Sequence, residues 1–289
     1  MGSRLDDLLA LLDLEGIERN LFRGVSPSDG RDRIFGGQVL AQGLVAAGRT
    51  VEEPDSGRSA HSLHAYFLRP GDPRIPILFE VDRIRDGRSF TTRRVVAIQR
   101  GQAIFNMAVS FQVDEEGLEH QIDAPDLPGP EGLLYEEELR RAIAASGRDV
   151  EHDDRRFELP IEIRTLGGLG LFSADVKPPY THCWIRAKGT LPDDPLLHKA
   201  VLAYASDFTL LMSTLHSHPV AMTSAQVQTA SLDHAMWFHR PFRMDEWLLY
   251  TQESPVSARA RGLARGLIYA VGGRLVASCV QEGLLRLRR

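Results

Sequence analysis

Apolar residues recur along this chain at two spacings, and the switch between them divides it into elements. Over 33–51 the run RIFGGQVLAQGLVAAGRTV is small or apolar nearly all round. A helix with no polar face must be buried on every side, so this stretch predicts an enclosed helix opened by Gly36 and Gly37. The segments HSLHAYFLRP (61–70), IPILFEVDRIR (75–85), SFTTRRVVAIQR (89–100) and QAIFNMAVSFQV (102–113) are rich in Val, Ile, Phe and Thr and predict strands. Between them, DG at 86–87 and RG at 100–101 mark hairpin turns. Ahead of all these, Leu5, Leu8, Leu9 and Leu12 follow helical spacing, with Ser3 placed to cap that helix. An acidic, proline-rich stretch opens a linker over 114–156, which includes a short charged helix near 134–146. The order then begins again. Strands are expected at 157–165 and 180–189, a second largely apolar helix at 195–216, and further strands in AQVQTASLDHAMWFHRP, EWLLYTQESPVSAR, RGLARGLIYAV and GRLVASCVQEGLLRL.

The two halves share text as well as order. VLAQG at 39–43 matches VLAYA at 201–205, SLHAYFLRP at 62–70 resembles SLDHAMWFHRP at 231–241, and SFQ at 110–112 parallels CVQ at 279–281. The spacing between partners drifts from 162 to 169 residues, as it does when loops diverge and elements persist. A buried helix wrapped by antiparallel strands describes a hotdog unit. The expectation is an α+β chain with an N-terminal hotdog (1–113), the linker (114–156) and a C-terminal hotdog (157–289). That double hotdog has two antiparallel sheets, each around a central helix, whose edges can pair and so leave no exposed template.

Composition narrows the function. The 289 residues carry a net charge of −5 and no concentrated basic stripe, which argues against a nucleic-acid surface. Two isolated cysteines, Cys183 and Cys279, make no disulfide framework and suit a reducing compartment. No apolar run reaches the roughly 20 residues that span a bilayer, and the acidic N-terminus is no signal peptide. A cytoplasmic protein is expected.

RIFGGQVLAQGL, HSLHAYFLRPGDP, RDGRSFTTRRVVAIQRGQAIFNMAVSFQ, DHAMWFHRPFRMDEWLLY and ARGLARGLIYAVGGRLVASCVQEGLLR together resemble acyl-CoA thioesterase II, the TesB type, over about residues 5–288. The resemblance implies hydrolysis of acyl-CoA to fatty acid and CoA, with no metal, no cofactor and no covalent intermediate. It implies a homodimer or homotetramer. It also implies a site made of the Asp in ASDFTLL, Asp207, a hydroxyl residue before DHAMWFHRP, Ser231, and the Gln of CVQEG, Gln281. Family members often have Thr at the second position; Ser keeps the hydroxyl and loses the methyl that restricts its rotamer.

The residues themselves bear on this. Asp207 falls among Ala200, Ala203, Tyr204, Leu210 and Leu211 at helical spacing. A carboxylate buried there without partners would cost several kcal/mol, so it is either tied to backbone or held as a base of raised pKa. Its counterpart in the repeat is Val45. Gln281 shares a strand face with Ala277 and Cys279, so it needs partners. The FGGQ turn at 35–38, with Gly37 and Gln38, is a candidate source of backbone N–H donors for an oxyanion. His61 either lines the first half's pocket or is an ordinary strand histidine. Arg259 and Arg261 either guard a solvated edge or meet CoA phosphates. Asp233 and His234 are adjacent on a strand, so they face opposite ways and read as structural. His216 and His218 lack the carboxylate or thiolate support of a metal site, and no Gly-x-Ser-x-Gly elbow of an α/β-hydrolase occurs. Two other functions compete with hydrolysis: enoyl-thioester hydration or dehydration, which uses an Asp–His pair where Asp207 has no His beside it in sequence, and non-catalytic acyl-CoA binding.

Overall fold

The computed structural model describes residues 4–27, 30–51, 57–133, 135, 138, 159–167, 175–220, 224 and 226–288. Ser3 and nearly all of the charged helix expected at 134–146 lie outside these residues.

Among the described residues, thirteen strands form one antiparallel sheet. In the first half these are β1 (Glu15–Glu18), β2 (Leu21–Gly24), β3 (Arg58–Phe67), β4 (Ile77–Asp86), β5 (Phe90–Gln99) and β6 (Gln102–Val113). The second half supplies β7 (Ile161–Thr165), β8 (Tyr180–Ala187), β9 (Val227–Ser231), β10 (Asp233–Phe238), β11 (Leu248–Ala258), β12 (Arg261–Ala270) and β13 (Leu275–Leu287). Their order is β1-β2-β4-β5-β6-β3-β10-β13-β12-β11-β8-β7, with β9 also on β13. Two sheets were expected; the seam β3–β10 joins them into one, with Ala235 opposite His64. Read outward from that seam, the order in one half repeats the order in the other.

The α-helices among the described residues are α1 (Arg4–Leu12), α2 (Gly36–Gly48) and α3 (Pro195–Ser206). α2 buries eleven of its residues, Gly37 through Ala47, against β3 to β6 and against α3. α3 starts where Asp194 accepts from the Leu196 N–H at 2.8 Å, with Pro195 in the first turn. The single helix expected over 195–216 is in fact broken. α3 stops at Ser206, Asp207 is its C-cap, and the chain resumes as a 3₁₀ turn at Leu210–Thr214 packed on β11, β12 and β13. Ser206 Oγ bonds back to the Ala203 carbonyl, and such side-chain competition with the helix ladder disfavours continuation.

Two short features near the N-terminus escaped the hydrophobic pattern. EGIE and LFRG pair as the hairpin β1–β2, whose turn places Asn20 at φ 64°, a conformation Asn tolerates better than most residues. The RG turn at 100–101 has φ of 50° and 72°, as a hairpin turn with two left-handed residues requires.

Both seam strands contain a β-bulge, and at equivalent places. On β3 the register against β6 shifts between Ala60 and Ser62. On the other side, Ser231 faces Gly283 while Ala235 faces Val280, so one extra residue, Leu232, sits between β9 and β10. A bulge turns the following side chains to the other face.

A candidate active site at the seam of the two halves

The break in α3 aims the Asp207 side chain at β9, β13 and the start of α2. Gln281 Nε2 donates to Asp207 Oδ1 at 2.6 Å and to Ser231 Oγ at 2.9 Å. Ser231 Oγ donates to the same Asp207 oxygen at 3.4 Å. The three residues singled out in the sequence therefore meet, from three different elements. The Asp207 side chain is 4% exposed, whereas its residue as a whole is only half-buried; what solvent reaches is the main chain at the helix break.

The fourth partner comes from the other half. Phe35, before α2, offers no side-chain cap. A helix start leaves N–H groups without intrahelical acceptors, and here the Gly37 N–H bonds to Asp207. Asp207 thus caps α2 from outside. Contact this close requires glycines: a Cβ on Gly36 would lie 2.7 Å from Asp207 Oδ2, and one on Gly37 would lie 2.5 Å from the Tyr204 carbonyl. Two expectations for the FGGQ turn are corrected. The Gly37 amide is engaged by Asp207 and is not free to serve an oxyanion. The Gln38 N–H donates to the Phe35 carbonyl at 3.1 Å, and its buried side chain ties Ser26, the Val25 carbonyl and Gln42 together, so it holds the entry to α2.

Burial raises Asp207 from its ordinary range to about 6, against the opposing pull of the Gln281, Gly37 and Ser231 bonds. Desolvation penalises the charged form more than three donors favour it. A neighbour that the sequence reading took as structural adds to this. His234 is fully buried, with Nδ1 3.9 Å from Asp207 Oδ1 and Nε2 3.0 Å from Ser206 Oγ. Since the Ser206 hydroxyl donates to Ala203, it accepts from Nε2–H, which leaves Nδ1 bearing a lone pair. Burial also lowers His234 to about 4, so it is neutral at physiological pH. A lone pair facing a carboxylate oxygen favours the protonated acid. Asp207 has no His beside it on its own helix, as the sequence indicates; the His that stands near it in space comes from β10. Adjacent Asp233 faces away and accepts from the Glu282 N–H at 2.7 Å.

The remaining candidates lie elsewhere. Arg261 pairs with Glu282 at 2.8 Å. Glu282 follows Gln281 on β13, so that ion pair is on the opposite face of the sheet from Asp207. Arg259 sits in the β11–β12 turn at φ 51°. His61 bonds Ser110 at 2.8 Å and lines a separate first-half cavity. Below Asp207, Tyr250 donates to the Ser206 carbonyl and contacts Cys279 Sγ at 3.0 Å. Burial pushes the Cys279 thiol up to about 12, so this layer is neutral.

Comparison with known proteins places these features in context. Residues 150–284 match the family model described as acyl-CoA thioesterase, and residues 25–112 match the one described as acyl-CoA thioesterase N-terminal domain. The chain is 38% identical to acyl-CoA thioesterase 2 of Haemophilus influenzae across 99% of both chains. It is 40% identical to acyl-coenzyme A thioesterase 8 of Mus musculus, across 96% of this chain and 88% of the other. Among solved structures, acyl-CoA thioesterase II TesB2 of Mycobacterium marinum superposes with a TM-score of 0.78 at 41% identity, covering 97% of this chain and 98% of that one. A hotdog-fold protein from Alicyclobacillus acidocaldarius shares the fold at 18% identity, with a TM-score of 0.77.

Proposed function

The chain belongs to the acyl-CoA thioesterase family and hydrolyses acyl-CoA thioesters, and on that premise we propose that Asp207 is the general base that activates the attacking water. The observation that carries this reading is the convergence of Gln281, Ser231 and the Gly37 amide on one buried carboxylate of raised pKa. A base works best when its pKa lies near the operating pH, and an ordinary carboxylate falls short of that. Ser231 and Gln281 hold the water against Asp207. Gln281 Oε1, buried and without a partner among the described residues, accepts a hydrogen bond from one O–H of the water, while Asp207 takes the proton of the other as the oxygen attacks the thioester carbonyl. The leaving thiolate has a pKa near that of a free thiol, about 8.5, so no strong general acid is required. The tetrahedral oxyanion is met by amides of the turn that opens α2, with Gly36 replacing Gly37 as the candidate donor.

The same reading covers the architecture. The two halves are two hotdog units, 1–113 and 157–289, joined by the 114–156 segment. The second unit supplies the reactive side chains and the first supplies the helix start that caps them. The protein acts in the cytoplasm as a homo-oligomer.

A single-turnover reaction in ¹⁸O-water separates activated water from a covalent route. Direct attack puts one ¹⁸O into the released acid and none into the protein. An acyl–Asp207 anhydride hydrolysed at the aspartyl carbon would instead give unlabelled acid and leave ¹⁸O in Asp207, which would rule out the base assignment.

A further inference from the structure

The equivalence of the two halves identifies what stands in the first half where the site stands in the second. The seam and bulge registers pair Ser231 with Ala60, His234 with Leu63 and Gln281 with Val109, which corrects the sequence match of CVQ at 279–281 to SFQ at 110–112: the register makes Val109, and not Gln112, the counterpart of Gln281. The helix correspondence pairs Asp207 with Val45 and Gly37 with Lys199. All four reactive-site counterparts are buried and apolar. The exception is on α3, one turn inside the helix, at the place that corresponds to Gly37. There a glycine amide is replaced by the ammonium of Lys199, which donates to Ser59 Oγ and to the Ala60 carbonyl at 2.7 Å.

Next to it lies a cavity of about 620 Å³, lined by Ala60, Lys199 and Phe238 among others. Ala60 and Lys199 are the counterparts of Ser231 and Gly37, whereas Val45, Leu63 and Val109 do not line it, so the cavity adjoins the first-half image of the reactive site. It is large enough for a ligand of ordinary small-molecule size. Its sign is reversed. The Asp207 counterpart is Val45, and a cation occupies the place of the amide. Lys199 Nζ lies 5.5 Å from the Phe238 ring centroid, and no carboxylate pairs with it among the described residues. Of the other basic groups on the wall, Arg243 pairs with Asp193 and Asp245 and Arg240 with Glu119, while Arg274 is exposed and donates to the Pro241 carbonyl at 3.2 Å. The wall carboxylates Asp114, Asp193 and Glu246 are exposed at the rim. Phe238, Phe242 and Leu248 supply an apolar wall beyond Lys199.

We propose that this cavity is a second, non-hydrolytic site that binds a fatty carboxylate, the acid released by the reaction, with the carboxylate on Lys199 and the alkyl chain along Phe238, Phe242 and Leu248. A buried ammonium without a counter-ion favours an anion strongly, because the pair is formed where water screens poorly. Lys199 is lowered by burial to about 8 and still carries its charge at neutral pH. The absence of any carboxylate, hydroxyl or amide at positions 45, 60 and 109 means that a thioester bound there would not be hydrolysed. The inference rests on the correspondence of the halves and not on which group activates water, so failure of the Asp207 assignment leaves it standing.

Co-crystals of the whole chain with an ω-bromo laurate locate the site through bromine anomalous scattering. Bromine in the first-half cavity, with the carboxylate at Lys199, is the expected result. Bromine only beside Asp207, or none at all, overturns the proposal. Calorimetry with laurate adds a second reading. Lys199→Met is expected to weaken binding at this site at least tenfold while thioester hydrolysis stays within about twofold of wild type, and Lys199→Arg is expected to retain binding. Unchanged laurate affinity in Lys199→Met contradicts it. Since the crystallographic result comes from the unmodified protein, it stands even if Lys199→Met fails to fold.

Discussion

A buried acid with a raised pKa is a stability cost as well as a chemical asset, and at Asp207 the two can be separated by pH. In the folded chain Asp207 titrates near 6, against 3.8 ordinarily. Below both values it is protonated folded or unfolded and contributes nothing. As pH climbs between them the unfolded chain ionises first, so stability falls. Above the folded value the loss is constant, of the order of 3 kcal/mol. Asp207→Asn removes that ionisation. Its thermal midpoint should exceed the wild type's by several degrees at neutral pH, with the gain vanishing toward pH 4; an unchanged or lower midpoint at neutral pH would show that the carboxylate is not held against its preference. The residue scale was also where sequence was most informative. Asp207 was conspicuous because it interrupts an apolar face. Ser231 and Gln281 were not conspicuous by themselves, since Ser and Gln are common on strands, and only resemblance to a family selected them. His234 was set aside because a regular strand puts it opposite Asp233; regular alternation would also put it, three residues on, opposite Ser231. The bulge at Leu232 breaks that parity, and a one-residue insertion into a strand leaves no periodic trace.

At the scale of elements, the site depends on two terminations that meet. α3 ends at Ser206 and α2 begins at Gly36, and the contact works only because two glycines keep the approach open. Gly37→Ala introduces a Cβ 2.5 Å from the Tyr204 main-chain oxygen, a contact that only a backbone shift relieves. The start of α2 should then withdraw from Asp207 and take its N–H bond with it. We expect kcat to fall at least tenfold and the acidic limb of the pH–rate profile to move to higher pH, because a donor that favours the ionised acid has gone. A drop in stability with an unmoved limb would mean that Gly37 serves packing alone. Most elements were legible: β6 occupies 102–113 as its pattern predicts, and β4, β5 and β12 deviate by a residue or two. The misses have a common cause. The β1–β2 hairpin is only four residues a side, with a polar exposed strand. The helix break at Asp207 lies inside a continuous apolar run, where periodicity carries no mark of a side chain bonding back to the backbone.

For the whole molecule, repetition was visible in the text, and its consequence was not. Matching segments at shifting offsets imply two similar halves, but no feature of either half states that their sheets fuse. Fusion follows from β3 and β10, each of which pairs on both edges, and from packing of α2 on α3. With hydrogen bonds and a shared core crossing the seam, the halves should not melt separately. Urea unfolding followed by intrinsic fluorescence and far-UV circular dichroism should give one coincident transition. Two resolved transitions would show that the seam is too weak to couple the halves. Divergence within the repeat also explains why one chain carries one reactive cluster: the first half keeps the frame and has Val45, Ala60 and Val109 where the second has Asp207, Ser231 and Gln281.

The most direct test of the central claim is kcat/KM for acyl-CoA hydrolysis as a function of pH, measured on the wild type and on Asp207→Asn. The wild type should be level above a break near 6 and fall about tenfold per pH unit below it, as a single essential base requires. The variant should be slower by at least about a hundredfold and show no break in that range. A variant that keeps both the rate and the break would contradict the assignment of Asp207 as the base.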